Sequence, residues 1–105
     1  MKIIQQKITL EELKKMAQKG FGNLVKAVVD IDKKIMVIDA SMHADEEAFL
    51  LKAGSKQDDL WGINIYPDQT GDSFIEFDSM INVRPRQNNF SRSVENETIQ
   101  KQIIA

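Results

Sequence analysis

The sequence predicts an α+β protein, a single domain over residues 1–105 with a mainly antiparallel sheet of about five strands and three helices. Two observations favour this class. Segments with helical periodicity alternate along the chain with segments rich in β-branched residues. The β-rich segments come in consecutive pairs separated by short turns, which is typical of antiparallel hairpins. We expect helices to cover one face of the sheet and leave the other in water.

The N-terminal segment predicts a strand followed by a helix. KIIQQ, residues 2–6, is short and contains β-branched side chains. Thr9 is followed three residues later by Glu12, the form of a capping box, which marks a helix N-terminus. Apolar residues then recur at helical spacing, and Gly20 stands where a left-handed C-cap is expected. The spacing therefore predicts a helix over residues 10–19.

The next part of the chain predicts a hairpin and a second helix. LVKAVVDIDKKIMVID, residues 24–39, is rich in β-branched residues and is interrupted by Asp32-Lys33, so two strands joined by a tight turn are expected. HADEEAFLLKAG, residues 43–54, has an apolar face and ends at a glycine. We expect a short helix here, with Ser41 or a residue beside it as the N-cap.

From Leu60 the apolar period changes to two, which is typical of a strand. After a turn marked by Pro67 and Gly71, the alternation over residues 74–84 never slips, so this segment is one long strand or two short strands joined at Ser79. The side chains predicted to face the core are Trp61, Ile63, Ile65, Ile75, Phe77, Ile81 and Val83. Those predicted to lie on the opposite face are Asn64, Glu76, Asp78, Asn82 and Arg84. VENETIQKQIIA closes the chain as a third predicted helix.

Composition and charge narrow the possible functions. Fourteen basic and sixteen acidic side chains leave a net charge of −2, so no global positive field gathers the protein onto nucleic acid, and we do not expect nucleic acid as a partner. The absence of cysteine excludes disulfides, thiolate zinc sites and thiol nucleophiles. Without an apolar run long enough for a signal peptide or a membrane span, we expect a cytoplasmic protein that does not bind membranes.

Three segments resemble a known family: KAVVDIDKKIMVIDASMHADEE, DLWGINIYPD and IEFDSMINVRPRQNN. They are similar to a small prokaryotic family known only as a domain of unknown function, and the resemblance covers nearly the whole chain. It implies a stand-alone prokaryotic protein of about this length. It implies no activity, and therefore supplies no catalytic residue.

The only histidine lies in DASMHADEE, residues 39–47. His43 with Asp45, Glu46 and Glu47 offers donor types that suit zinc, iron or manganese. The acids also have a simpler explanation, because the helix dipole favours carboxylates in the first turn. Established metal motifs pair two histidines or several acids at fixed spacing, which this segment does not do. We therefore expect a helix start, with no metal or cofactor, although metal binding by these four residues stays open.

A second candidate is the polar face of the last hairpin. There Asn64 and Tyr66 would share a face with Glu76, Asp78, Asn82 and Arg84, a set able to bind a polar ligand or to perform acid/base chemistry. The alternative is an ordinary solvated face of an antiparallel sheet.

The third candidate is RPRQNNFSRS, residues 84–93, which has loop composition and no acidic residue. Arg84, Arg86 and Arg92 carry forked guanidinium groups that suit phosphate or carboxylate. The alternative is a solvated loop whose arginines pair with acids elsewhere. The ligand-binding residues that we predict from these two candidates are Arg84, Arg86, Arg92, Asn82, Asp78 and Asn64.

Three functions are compatible with these features. We favour a binding or regulatory module with an anion-binding arginine loop, working as a homo-oligomer on a small anionic ligand. The alternatives are a small RNA-acting protein of the nuclease-toxin type and a metal-dependent hydrolase centred on His43. The net charge disfavours the first alternative and the single histidine disfavours the second. Whether the protein is an enzyme is open at this point.

Overall fold

A computed structural model describes residues 1–5 and 8–104, and over these residues the chain forms five strands and three α-helices. The strands are β1 (Lys2–Ile4), β2 (Val25–Asp30), β3 (Ile35–Ile38), β4 (Leu60–Ile65) and β5 (Ile75–Glu76). The helices are α1 (Leu10–Lys19), α2 (His43–Lys52) and α3 (Glu97–Ile104). One antiparallel sheet has the order β1-β3-β2-β4-β5, which confirms the α+β class. Gln6 and Ala105, at the ends of a predicted strand and a predicted helix, lie outside the described residues.

Helix α1 has the predicted bounds and the predicted N-cap. Thr9 is extended, and its Oγ1 accepts a hydrogen bond from the N–H of Glu12 at 3.2 Å. The left-handed C-cap expected at Gly20 is wrong, because Gly20 has a φ of −101°. Gly22, two residues further on, has a φ of 94° and makes the left-handed turn that leads the chain into β2.

The hairpin between β2 and β3 is closed by Asp30. Its Oδ1 accepts hydrogen bonds from the N–H groups of Asp32 and Lys33, both at 3.0 Å. Its backbone carbonyl accepts one from the N–H of Lys34 at 2.9 Å. Its Oδ2 accepts one from the hydroxyl of Ser55, beyond the end of α2, at 2.6 Å. These bonds hold Lys34 in the left-handed region with a φ of 57°, which glycine or asparagine adopts more readily.

Helix α2 begins at His43 without a side-chain cap. The N-cap is Met42, the residue beside Ser41, as expected, and its side chain makes no capping hydrogen bond. Asp45 in the first turn still complements the helix dipole. The chain leaves the helix through Gly54, whose φ is 103°.

Both faces of the sheet are covered, so the expectation of one open face is wrong. On face A, α1 and α3 cover an apolar core that includes Leu13, Ala27, Val29, Trp61, Ile63, Ile65 and Ile103. On face B, α2 and the turn over residues 79–82 cover Val28, Val37, Leu50 and Leu60. The adjacent buried residues Val28 and Val29 in β2 point to opposite faces, which is the pattern of a strand buried on both sides.

Both alternatives predicted for residues 74–84, one long strand or two short strands joined at Ser79, are wrong, because only Ile75 and Glu76 pair with β4. Residues Met80–Asn82 and Pro85–Gln87 form single 3₁₀ turns instead. The predicted alternation therefore ends here, and the seven side chains predicted to face the core do not stay together. Five of them lie in or against the face A core: Trp61, Ile63, Ile65, Ile75 and Phe77. Ile81 packs on face B instead, and Val83 is half-buried.

Gly62 explains the position of this turn. A Cβ atom at Gly62 would lie 2.6 Å from the Cβ of Ser79 and 3.2 Å from Cγ1 of Ile81. Only glycine lets the turn lie this close to β4.

Candidate functional site

Asn82, a predicted ligand-binding residue, completes the edge of β4 where β5 is missing. It is fully buried. Its Oδ1 accepts from the N–H of Gly62 at 2.8 Å, and its Nδ2 donates to the Gly62 carbonyl at 2.9 Å. Nδ2 also donates to the carbonyl of Arg92 at 2.9 Å. The carboxamide thus replaces the backbone of a neighbouring strand, and both of its N–H donors are used within the chain.

Arg84 is directed into the fold rather than into solvent. Only 6% of its surface is exposed. Its guanidinium donates to the carbonyls of Gln57 and Leu60, and its Cζ lies 4.1 Å from the centroid of the Trp61 ring. Burial lowers the pKa of Arg84, an effect that the carboxylates of Glu47 and nearby residues oppose. Arg84 therefore joins its own loop, after β5, to β4 and to the turn before β4.

The other two arginines are exposed, and each forms a salt bridge. Arg86 Nη2 lies 2.5 Å from Asp58 Oδ1, and Arg92 Nε lies 2.6 Å from Asp78 Oδ1. Arg84 and Arg86 thus both donate to Gln57, whereas Arg92 pairs with Asp78. Anion binding at this segment stays a prediction, and an anion there would compete with Asp58 or Asp78 for its cation.

Asn89 organises the loop that carries these arginines. It is 3% exposed, and its Nδ2 donates to the carbonyls of Asn82 and Ser93, both at 2.7 Å. Its Oδ1 accepts from the N–H of Glu95 at 2.8 Å. Hydrogen bonds from Ser91 and from the Phe90 backbone hold the pKa of the Glu95 carboxyl below its usual range. The segment is therefore a hydrogen-bonded loop with its own internal order.

Asn64 and Asp78 do come together, and the structure adds His43 to them. Asn64 Nδ2 donates to Glu76 Oε1 at 2.8 Å and approaches the Asp78 carbonyl at 3.4 Å. His43 Nε2 donates to the Ile63 carbonyl at 2.7 Å. Burial lowers the pKa of His43, while the Asp78 carboxylate raises it. The sequence did not join this histidine to the hairpin, because His43 and Ile63 are 20 residues apart and meet only when α2 packs on the sheet.

Glu46 is a buried carboxyl without a hydrogen-bond partner among the described residues. It is 0% exposed, and both of its oxygens are buried. Burial raises the pKa of Glu46 to about 9, an effect that the Ala40 backbone and the Lys26 ammonium only partly offset. Asp45 is exposed instead. Within residues 1–5 and 8–104, no three His, Asp or Glu side chains are grouped to hold a metal ion.

An open cavity of about 790 Å³ lies on face A, between the sheet, α1 and α3. Thirteen of its sixteen lining residues are apolar. Ile63 and Ile65 of β4 and Val29 of β2 contribute from the sheet, and Ile103 contributes from α3. Ile104 also lines the cavity and is 61% exposed, so the cavity opens to solvent beside α3.

Three polar residues line this cavity: Asp30, Lys34 and Gln102. Asp30 uses both carboxylate oxygens in the hydrogen bonds that close the hairpin and reach Ser55. Lys34 is exposed and stands in the same turn. The cavity therefore combines an apolar interior with one cation and one amide, a combination typical of small-molecule sites.

The sequence did not reveal this cavity, because its isoleucines have the pattern of ordinary core residues. One signal was present. Ile103 and Ile104 are adjacent in a helix, so both cannot point into one narrow interface, and one of them must lie at a border.

The family model described as "Protein of unknown function (DUF5674)" matches residues 2–105. The chain belongs to this family. Comparison with curated proteins and with solved structures found no match. DUF5674 carries no assigned activity, and its match confirms the resemblance to a family of unknown function. Within the described part of the chain, no helix has both the length and the apolar character needed to cross a membrane.

Proposed function

We propose that this DUF5674 protein is a binding module that holds a small, largely apolar molecule in the face A cavity. The observation that carries the proposal is an open space of about 790 Å³ whose lining is apolar at thirteen of sixteen residues. Small-molecule sites usually measure about 300 to 1,000 Å³ and combine a hydrophobic lining with a few placed polar groups.

The sheet gives the cavity a preformed floor. Ile63 and Ile65 are buried in β4, a strand with a neighbour on each side in the sheet. A ligand that enters therefore removes its apolar surface from water, and the strands do not have to become ordered for it to bind. Each buried methylene contributes about 0.8 kcal/mol, so burial of eight to ten carbons gains roughly 6 to 8 kcal/mol towards the cost of association.

The cavity is favoured over the arginine loop because its occupation breaks no contact of the fold. A ligand bound by Arg86 or Arg92 must displace the carboxylate of Asp58 or Asp78. The face A cavity requires no such exchange. We therefore keep the prediction of a binding module and propose that its ligand lies on face A, away from the arginine loop.

The proposal is tested with N-phenyl-1-naphthylamine, a neutral apolar probe whose fluorescence rises in apolar surroundings. Ile75→Phe places a larger side chain in the cavity lining, whereas Ile81→Phe adds the same atoms to an equally half-buried isoleucine on face B. We expect saturable binding to the wild type, at least tenfold weaker binding to Ile75→Phe, and little change in Ile81→Phe. Thermal unfolding curves check that both variants are folded. A folded wild type that does not bind the probe, or an equal loss in both variants, contradicts the proposal.

A further inference from the structure

We propose that the ligand of the face A cavity is an amphipathic carboxylate, with its apolar body in the cavity and its carboxylate paired with Lys34. This inference rests on the proposed function and adds the chemical class of the ligand. Lys34 is the one cationic residue among those that line the cavity.

The backbone fixes Lys34 at the cavity. It occupies the left-handed region with a φ of 57°, held there by its N–H bond to the Asp30 carbonyl at 2.9 Å. Turns of this kind usually place asparagine or glycine at such a position, since their side chains tolerate it. A lysine here retains a conformational cost, and it belongs to the exposed turn that lines a largely apolar opening.

The acidic lining residue does not cancel this charge. Asp30 Oδ1 is held by the backbone of the turn, and its Oδ2 accepts from Ser55 at 2.6 Å, next to the helix that covers face B. The Asp30 carboxylate is therefore committed on the side of the sheet away from the cavity. Among the described residues, Lys34 forms no salt bridge. A ligand carboxylate at the opening can form a charge-assisted hydrogen bond with Lys34.

A nearby acid makes this contact selective. Asp32 lies in the same turn as Lys34, and it raises the pKa of Asp59 after the larger effect of desolvation. An anion at this end of the sheet that is not held by a cation is repelled by such a carboxylate. Removal of the Lys34 charge should therefore abolish the preference for a carboxylate and favour a neutral or cationic head group instead.

Lys33 provides a matched control. It is adjacent in the chain and lies in the same turn, but a Cβ atom placed on Gly54 would lie 3.6 Å from its Nζ. Its ammonium is therefore beside the end of α2, and it does not line the cavity. Lys33→Gln and Lys34→Gln change the net charge equally, and only the second removes a cation from the cavity.

The test compares three ten-carbon probes below their micelle concentrations: decanoate, decanol and decyltrimethylammonium. Displacement of N-phenyl-1-naphthylamine from the full chain reports their affinities. We expect the wild type and Lys33→Gln to bind decanoate at least tenfold more tightly than decanol. Lys34→Gln should lose this preference, and Lys34→Arg should restore most of it.

The outcomes separate the two proposals. If decanol binds the wild type as tightly as decanoate, the cavity is a binding site and the carboxylate inference is wrong. An equal loss in Lys33→Gln and Lys34→Gln also overturns the inference, since general surface charge then explains the preference. If light scattering shows a dimer that Ile75→Phe dissociates and no probe binds, a second copy fills the cavity and both proposals are wrong.

Discussion

The two faces of the sheet differ in how they use apolar and polar side chains. Face A is covered by an apolar core that leaves about 790 Å³ open. Face B and the adjacent edge of β4 are closed by buried polar groups, among them Asn82 and Arg84. Of the predicted polar residues, Asn82 and Arg84 therefore hold the fold together, and the isoleucines border the open space that we propose as a ligand site. In this protein, the polarity of a residue is a poor guide to whether it faces solvent or closes the fold.

The largest expected effect belongs to Asn82. Asn82→Ala leaves the N–H and carbonyl of Gly62 buried without partners, and each unpaired group costs about 1 to 3 kcal/mol. We expect a loss of about 3 to 5 kcal/mol in the free energy of unfolding, measured by urea denaturation with Trp61 fluorescence. Asn23→Ala, at an exposed position, should change it by less than about 0.5 kcal/mol. Similar results for the two variants would show that face B does not depend on its polar side chains.

Glu46→Gln should stabilise the protein at pH 8. The folded pKa of Glu46 is about 9 against a reference of 4.5, so the folded state retains a proton that the unfolded state has lost. Its contribution to stability is full below pH 4.5 and is lost as the pH rises towards about 9. Each unit of pKa difference corresponds to about 1.4 kcal/mol, which sets an upper limit of about 5 kcal/mol at pH 8. Because the buried Gln amide itself lacks partners among the described residues, we expect a gain of about 2 to 4 kcal/mol.

The control for Glu46 lies in the same helical turn. Asp45 is exposed, so Asp45→Asn should change the free energy of unfolding at pH 8 by less than about 1 kcal/mol. Glu46→Gln should make the slope of stability against pH between 5 and 8 less negative. Unfolding curves at four pH values decide the matter, and an unchanged slope in Glu46→Gln would show that Glu46 is ionised in the folded state.

Arg84→Gln should cost about 2 kcal/mol. It removes the donor to two carbonyls and the contact with the Trp61 ring. Arg86→Gln removes an exposed salt bridge and should cost less than about 1 kcal/mol. Phosphate titrations followed by chemical shifts test whether the same arginines bind an anion. Saturable shifts that disappear in Arg86→Gln would place an anion site in the arginine loop and contradict the contrast between the faces.

The smallest expected effect on stability is at the rim of the cavity. Ile104 is 61% exposed, so Ile104→Ala should change the free energy of unfolding by less than about 0.5 kcal/mol. The same change should weaken binding of the naphthylamine probe several-fold, because Ile104 lines the cavity. Unchanged binding would mean that the ligand does not extend to this end.

Most elements could be predicted because their local signals agree with the fold. Thr9 and Glu12 fixed the start of α1, and Asp32-Lys33 fixed the turn between β2 and β3. The segment over residues 74–84 could not be predicted from its alternation, since alternation does not show whether a partner strand is available. That outcome depends on Gly62, which admits the turn, and on Asn82, whose side chain replaces a strand.

The candidate site was less predictable than the fold. A strand isoleucine has the same pattern whether the helix above it closes or leaves a space, so Ile63 and Ile65 gave no sign of a cavity. The predicted arginines did signal strong hydrogen bonding, but sequence could not show that Arg84 turns inward to the carbonyls of its own chain. Both the cavity and the direction of Arg84 depend on residues that are distant in the sequence.

The Asn82 carboxamide also limits how the sheet can grow. An open strand edge offers a template for a second chain, and natural proteins cover or shorten such edges to avoid fibrous aggregation. Beyond β5, the outer edge of β4 is occupied by Asn82, while the opposite edge of the sheet is β1, only three residues long. Loss of Asn82 therefore exposes an edge that can recruit further chains, so its replacement should promote intermolecular β-sheet as well as unfolding.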